Sequence, residues 1–207
     1  MTTEFQPAAS EPQPGGRSPA PGAIGLVQSF VNSRWDLTRD LEDQLRTPAE
    51  LARWLRDRGL LTRSARLGEA DLTRALDVRE GLRALLFAHN GALVDEEAID
   101  RLNGALGRIT LGIEFTPDGA PEFSPHGRNL DGAFASIATI VTVAQIDGTW
   151  SRLKACPGLH CGWAFYDHSR NQSGSWCSMS KCGSRAKARE YRRRQRAPNR
   201  GSRPPLR

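Results

Sequence analysis

Residues 154–194 read KACPGLHCGWAFYDHSRNQSGSWCSMSKCGSRAKAREYRRR, and this stretch decides how the chain is built. It holds all four cysteines of the 207-residue chain, spaced Cys156-x4-Cys161-x15-Cys177-x4-Cys182. Two close pairs with a spacer of this length place four thiolates at the corners of one tetrahedron, which suits zinc at Zn–S distances near ~2.3 Å. An iron–sulfur cluster also takes four cysteines, but paired knuckle spacing is commoner for structural zinc. The first residues, MTTEFQPAASEPQPGG, lack the basic and apolar regions of an export signal, so a cytoplasmic, reducing setting is expected and two disulfides are disfavoured. The expectation is one structural zinc on Cys156, Cys161, Cys177 and Cys182, with no open coordination position for catalysis. Between the pairs, Trp163, Phe165 and Trp176 are expected to cover the metal, and the spacing of 163 and 165 suits a strand. His160 and His168 read as loop residues beside the site. Asp167, Ser169 and Asn171 suit a turn whose side chains bond their own backbone.

Downstream of the cysteines the chemistry turns basic. Arg185, Arg189, Arg192, Arg193 and Arg196 follow i, i+4, i+7, i+8, i+11, one face of a helix, with Lys187, Tyr191 and Arg194 on the adjoining face. Ser184 is placed to cap it, and Ala186 and Ala188 favour helix. So many like charges repel one another in an isolated helix, and phosphate would relieve them. The net charge of +6 conceals a split: residues 1–149 carry 15 basic and 21 acidic side chains, residues 150–207 carry 14 and 2. Arginine number alone is weak evidence, because only Lys154, Lys181 and Lys187 are lysines and such a skew accompanies G+C-rich genomes. Placement on one helical face is the informative part. Arg185, Lys187, Arg189, Arg192 and Arg193 are therefore the main DNA-contact candidates, with Lys181 and Arg170 nearby.

Upstream lies an α+β body that announces no chemistry. Residues 1–22 hold five prolines and few large apolar side chains, so they are expected to be a disordered lead, as is the basic tail 197–207. Ile24, Val27, Val31 and Trp35 fall at helical spacing; Thr47-Pro48-Ala49-Glu50 is a helix start with a capping box; Glu69 to His89 carries the longest apolar stripe, through Leu72, Ala75, Leu76, Arg79, Leu82 and Leu86. Asp95 caps another helix. Ile109, Leu111, Ile113 and Phe115 then alternate at spacing two before Pro117-Asp118-Gly119, which predicts a hairpin returning through Glu122-Phe123, packed inside the helices. A last apolar helix runs from about Leu130 to Ile146. Asn32 and Arg34, polar inside the first helix, are candidates to line a ligand pocket. No catalytic constellation is present, so no enzyme is expected, and no apolar run is long enough to span a membrane.

Together the cysteine spacing, the Gly162-Trp163-x-Phe165-x-Asp167-x-Ser169-x-Asn171 run, Trp176-Cys177-Ser178-Met179 and Arg185-Ala186-Lys187-Ala188-Arg189 resemble the CGNR zinc-finger family of bacterial proteins. The likeness spans roughly Lys154 to Arg194. The preceding body is similar to that family's usual partner, the ABATE domain, with Phe30-Val31-Asn32-Ser33 near its start. The resemblance implies stress-induced transcription regulators whose finger binds DNA. Two positions depart: the name-giving asparagine is Ser184, and Gly174-Ser175 stand where basic residues often precede the Trp-Cys.

The architecture expected is thus a mostly helical α+β domain at 23–149, sensing a ligand or mediating interactions, and a four-cysteine zinc module at 150–196 ending in a basic helix. Partners expected are duplex DNA, a small-molecule effector and a second copy of the chain. The rival reading is a ribosome-associated RNA-binding zinc protein that stacks bases on Trp163 or Tyr166.

Overall fold

The computed structural model describes residues 13–36, 43–125 and 127–196. Helix α3 (Glu69–Ala88) is its axis, burying Leu72, Ala75, Val78, Leu82 and Leu86. Helix α4 (Glu96–Leu106) starts at Asp95, whose carboxylate accepts from the Ala98 N–H at 3.0 Å, and crosses α3 closely. At the crossing a Cβ on Gly81 would lie 2.5 Å from the Leu102 Cβ. Glycine costs about 1 kcal/mol of helix propensity there, and the close helix approach offsets it.

Helices α1 (Ile24–Val31), α2 (Pro48–Asp57) and α5 (Leu130–Ile146) complete the core, in which Val27, Phe30, Leu51, Leu55 and Phe134 are fully buried. Half of the predicted capping box forms: Thr47 Oγ1 accepts from the Glu50 N–H at 3.2 Å, but the Glu50 carboxylate reaches one residue past the cap and accepts from the Arg46 N–H at 2.9 Å. Helix α1 stops short of Trp35. The Ser33 hydroxyl donates to the Phe30 carbonyl at 2.7 Å, the chain turns, and Trp35 meets Trp163 edge-on at 5.9 Å.

Strands β1 (Leu111–Phe115) and β2 (Pro121–Pro125) form the expected antiparallel hairpin, with Ile113 opposite Phe123. It is not enclosed by helices. Ile113 is 64% and Phe115 72% exposed, because α5 turns its apolar side toward α1 and gives the hairpin only a flank to lean on.

A second hairpin, β3 (Leu153–Ala155) with β4 (Ala164–Tyr166), sits between the body and the cysteines, and every one of its residues is buried. Leu153, Ala155, Ala164 and Tyr166 belong to the same hydrophobic core as α1, α3 and α5. The boundary expected at residue 150 therefore runs through continuous packing. The lead expected to be disordered is placed from Gln13 onward: it makes a turn at Pro14–Gly16 and buries Ala20, whose N–H donates to Gln28 Oε1 at 2.7 Å. The tail expected at 197–207 lies outside the described residues.

Candidate metal centre and basic helix

Strand β3 delivers Cys156, and a tight loop brings the chain back through Cys161: the Cys161 N–H donates to the Gly158 carbonyl at 2.8 Å and the Cys156 N–H to the Trp163 carbonyl at 2.9 Å. Of the second pair, Cys177 precedes and Cys182 lies within a wide helical turn, Met179–Gly183, in which the Cys182 and Gly183 N–H groups both donate to the Ser178 carbonyl, at 3.0 and 3.1 Å. Ser178, not Ser184, is the cap: its hydroxyl accepts from the Lys181 N–H at 3.3 Å. Ser184 instead donates its hydroxyl to the Met179 carbonyl at 3.0 Å, closing the wide turn onto helix α6 (Ser184–Arg196). A continuous helix thus springs from between two ligands.

All four sulfurs lie within 4.8 Å of one another, with Cys161–Cys177 at 3.6 Å and Cys177–Cys182 at 3.7 Å. A tetrahedron of radius ~2.3 Å has edges near ~3.8 Å, so the donor set fits zinc. A Cβ on Gly158 would lie 3.0 Å from the Cys182 sulfur, so that wall is left open for the cluster. No pair is bonded; all four cysteines are free. Hydrogen bonds from Cys161 and Cys177 favour the thiolate of Cys156, and that bonding in turn pushes the pKa values of Cys161 and Cys177 up. Crowded thiols hinder one another's ionisation, and a divalent cation is what four thiolates at this spacing require. Closed four-sulfur coordination makes the zinc structural.

Behind the sulfurs, Trp163, Phe165 and Trp176 cover the site as expected, with Phe165 1% exposed. Trp163 and Phe165 are buried and leave little ring face for stacking, while Trp176 is half-buried. Asp167 closes the loop that follows: its carboxylate accepts from the Ser169 N–H and hydroxyl at 3.0 and 2.7 Å and from the Gly174 N–H at 2.7 Å, and pairs with Lys154 Nζ at 2.9 Å. Burial works to raise its pKa, but the Ser169, Lys154 and Gly174 donors outweigh it and hold the carboxyl well below its usual range. Gly174 has a local reason: a Cβ there would sit 2.8 Å from Asp167 Oδ1, so a basic side chain is excluded where the resemblance leads one to expect it.

The body grips this module with polar side chains to which the sequence reading gave another role or none. Asn32 is 1% exposed, and its amide donates to the Ala164 carbonyl at 2.9 Å and accepts from the Ala164 N–H at 2.7 Å. Expected to line a pocket, it is instead used up as a backbone splint on β4. Arg34 is half-buried and bridges Asp43 through its backbone, with its carbonyl accepting from Arg83. Arg83 also donates to the Val31 carbonyl at 2.7 Å and, across the junction, to the Gly162 carbonyl at 2.6 Å. Arg79, 1% exposed, makes a two-pronged pair with Asp43 at 2.7 Å. The signal for both arginines was present, since charges four apart on a buried helical face need fixed partners. Asn90 adds bonds to the Ala155 and Ser175 carbonyls, at 2.8 and 2.9 Å.

The candidate cations divide into groups. Lys181, Arg185 and Arg189 line a cleft of about 310 Å³ beside the cluster, together with Trp35, Asp36 and His160. Three positive charges there balance Asp36 and the double negative charge of a zinc tetrathiolate. Lys187, Arg192 and Arg193 stand exposed on α6, where Arg189, Arg192, Arg193 and Arg196 share one groove. Glu190 pairs with Arg193 and Arg194, both at 2.8 Å, and the Arg193 bond holds its carboxyl down to about 2. Arg170 lies on an exposed turn and does not line the cleft.

A helical body fused to a four-cysteine zinc module that ends in a basic helix is the class these features define. Residues 152–195 match the CGNR zinc finger, and residues 25–144 match the ABATE domain, described as "Putative stress-induced transcription regulator". The second match spans more than half of the chain, which therefore belongs to the ABATE family and carries a C-terminal CGNR zinc finger. No curated protein matches the chain. Among the described residues no helix is long and apolar enough to cross a membrane.

Proposed function

We propose that the chain is a zinc-dependent transcription regulator, not an enzyme, and that α6 contacts duplex DNA. The observation that carries this is the row of guanidinium groups along α6, which projects from the metal site and buries none of its residues. A helix of about 10–12 Å diameter fits the major groove, and arginine reads guanine there through two parallel bonds. Lys187, Arg192, Arg193 and Arg196 face outward and serve as phosphate or base contacts, whereas Arg185, Arg189 and Lys181 contribute from the cleft side, and Arg170 adds diffuse attraction. The ABATE body serves as the sensing or interaction domain, and a second copy of the chain would supply a second half-site. RNA binding by stacking is disfavoured because Trp163, Phe165 and Tyr166 are buried.

Binding of fluorescent 25-base-pair duplexes selected from a random pool, measured against salt, tests this. A log–log slope of about −3 to −5 is expected if four or five phosphates are neutralised. The double variant Arg192→Ala/Arg193→Ala should flatten the slope by about two. An unchanged slope, or preference for RNA at equal salt, would refute the assignment.

A further inference from the structure

We propose that residues Gln13–Pro19 form an outer wall of the zinc centre and that Arg17 is a positioning residue for it, controlling how fast the metal leaves. Arg17 lies 160 positions from Cys177, yet its Nε donates to the Cys177 carbonyl and its Nη2 to the Trp176 carbonyl, both at 2.9 Å. Its guanidinium also covers the Phe165 ring, 4.9 Å from the centroid. Gln13 Oε1 accepts from Trp163 Nε1 and from Gln28 Nε2, each at 3.1 Å, tying the arm to the first knuckle and to α1 together. His168 Nε2 approaches the Ser18 and Pro19 carbonyls at 3.2 and 3.1 Å. Gly15 adopts φ +72°, and a Cβ there would sit 2.8 Å from the Ser178 hydroxyl, which caps the turn carrying Cys182.

The consequence is kinetic. Zinc leaves a tetrathiolate site as its thiolates detach in turn, and a backbone free to move makes each detachment easier. The Trp176–Cys177 backbone is held from outside the zinc module by a fork of two charge-assisted bonds on consecutive carbonyls. Ser178, the next residue, lies so close to Gly15 that there is no room for a side chain between them. The arm leads straight into α1, so the anchorage of the metal includes the start of the helical body. This inference stands whether or not α6 binds DNA.

Transfer of zinc from the full-length, zinc-loaded chain to 4-(2-pyridylazo)resorcinol tests it, with the unfolding midpoint of the helical body followed by circular dichroism. Arg17→Ala and Gly15→Val are each expected to release zinc about tenfold faster or more, with the body's midpoint unchanged. Arg17→Lys should fall between, since an ammonium keeps a charge over Phe165 but does not present the planar fork. Arg46→Ala, which removes only an exposed pair with Glu50, should match the parent. Parental release rates in Arg17→Ala and Gly15→Val would overturn the proposal, and so would acceleration that merely tracks loss of the body's stability. Should Arg17→Ala fail to fold, Gly15→Val decides, because it leaves the guanidinium in place.

Discussion

The described residues include two β-hairpins that sequence pattern alone ranks in the wrong order. The β1–β2 hairpin is longer, alternates cleanly and carries Leu111, Ile113 and Phe115 on one face opposite Pro125, Phe123 and Pro121. It is the exposed one. The β3–β4 hairpin pairs only three residues with three, yet all six are buried. Alternation says which side chains share a face; it does not say whether anything covers that face. The covering of β3–β4 comes from far away in the chain: Asn32, Arg83, His89 and Asn90 on one side, Gln13 and Arg17 on another, and the cysteine cluster at the end.

Removing the metal should break the contrast most completely. Cys177→Ser leaves three thiolates and is expected to take zinc content from one per chain to none, with a loss of about 10 kcal/mol of metal-coupled folding free energy at this end. Metal analysis with near-ultraviolet circular dichroism of the tryptophans would show it. Helices α3 to α5 should persist, because their core residues lie elsewhere. Zinc retained at full occupancy would mean that the cluster is not the ligand set.

Next in size are the polar pins beneath β3–β4. Lys154→Met takes the cation from Asp167, which is fully buried and keeps only its neutral Ser169 and Gly174 donors, and is expected to cost about 3–5 kcal/mol in chemical denaturation. Asn32→Ala should cost less, about 1–3 kcal/mol, because Gln28 still donates to the Ala164 carbonyl at 3.1 Å and only the Ala164 N–H loses its partner. Equal losses from the two would argue that the ion pair is better solvated than its burial implies.

A smaller effect is set by pH. His89 touches the Leu153 carbonyl at 2.9 Å and the Trp150 ring at 5.0 Å, and burial pushes its pKa down from the ordinary value. A histidine depressed in the folded state binds its proton more readily when unfolded. Its contribution is therefore full above the unfolded value of about 6.5 and is lost as pH falls toward the folded one. Stability measured at pH 7.5 and 5.5 should fall less in His89→Gln than in the parent. Zinc loss in acid affects both proteins alike, so the difference isolates the imidazole.

The metal centre was the most legible part of the molecule. Four cysteines in two pairs specify their own geometry, because the ion, rather than the surrounding fold, dictates where the sulfurs meet. Caps were legible for a related reason: Thr47 and Asp95 act within three residues of themselves. Arg17, Gln28, Asn32 and Asn90 were not, since each is an ordinary polar residue until the fold sets a backbone carbonyl against it. Ser184 was misread as a cap because the turn before it is wound wide, which moved the cap to Ser178. The basic row on α6 was visible as spacing, but its division between cleft side and open side depends on where Trp35 and Asp36 lie.

The smallest expected effect closes the comparison from the other hairpin. Phe115 is 72% exposed and Phe165 1%, although both are phenylalanines at strand positions. Phe165→Ala should cost about 3–5 kcal/mol, whereas Phe115→Ser should stay within about 0.5 kcal/mol of the parent, since almost no apolar area is returned to water. The same substitution removes a large aromatic side chain from an uncovered face, so its effect belongs in solubility rather than in the unfolding midpoint. If Phe115→Ser instead destabilised the chain by several kcal/mol, β1–β2 would have to be covered in solution. The contrast between the two hairpins would then reflect a missing neighbour, not a difference in their design.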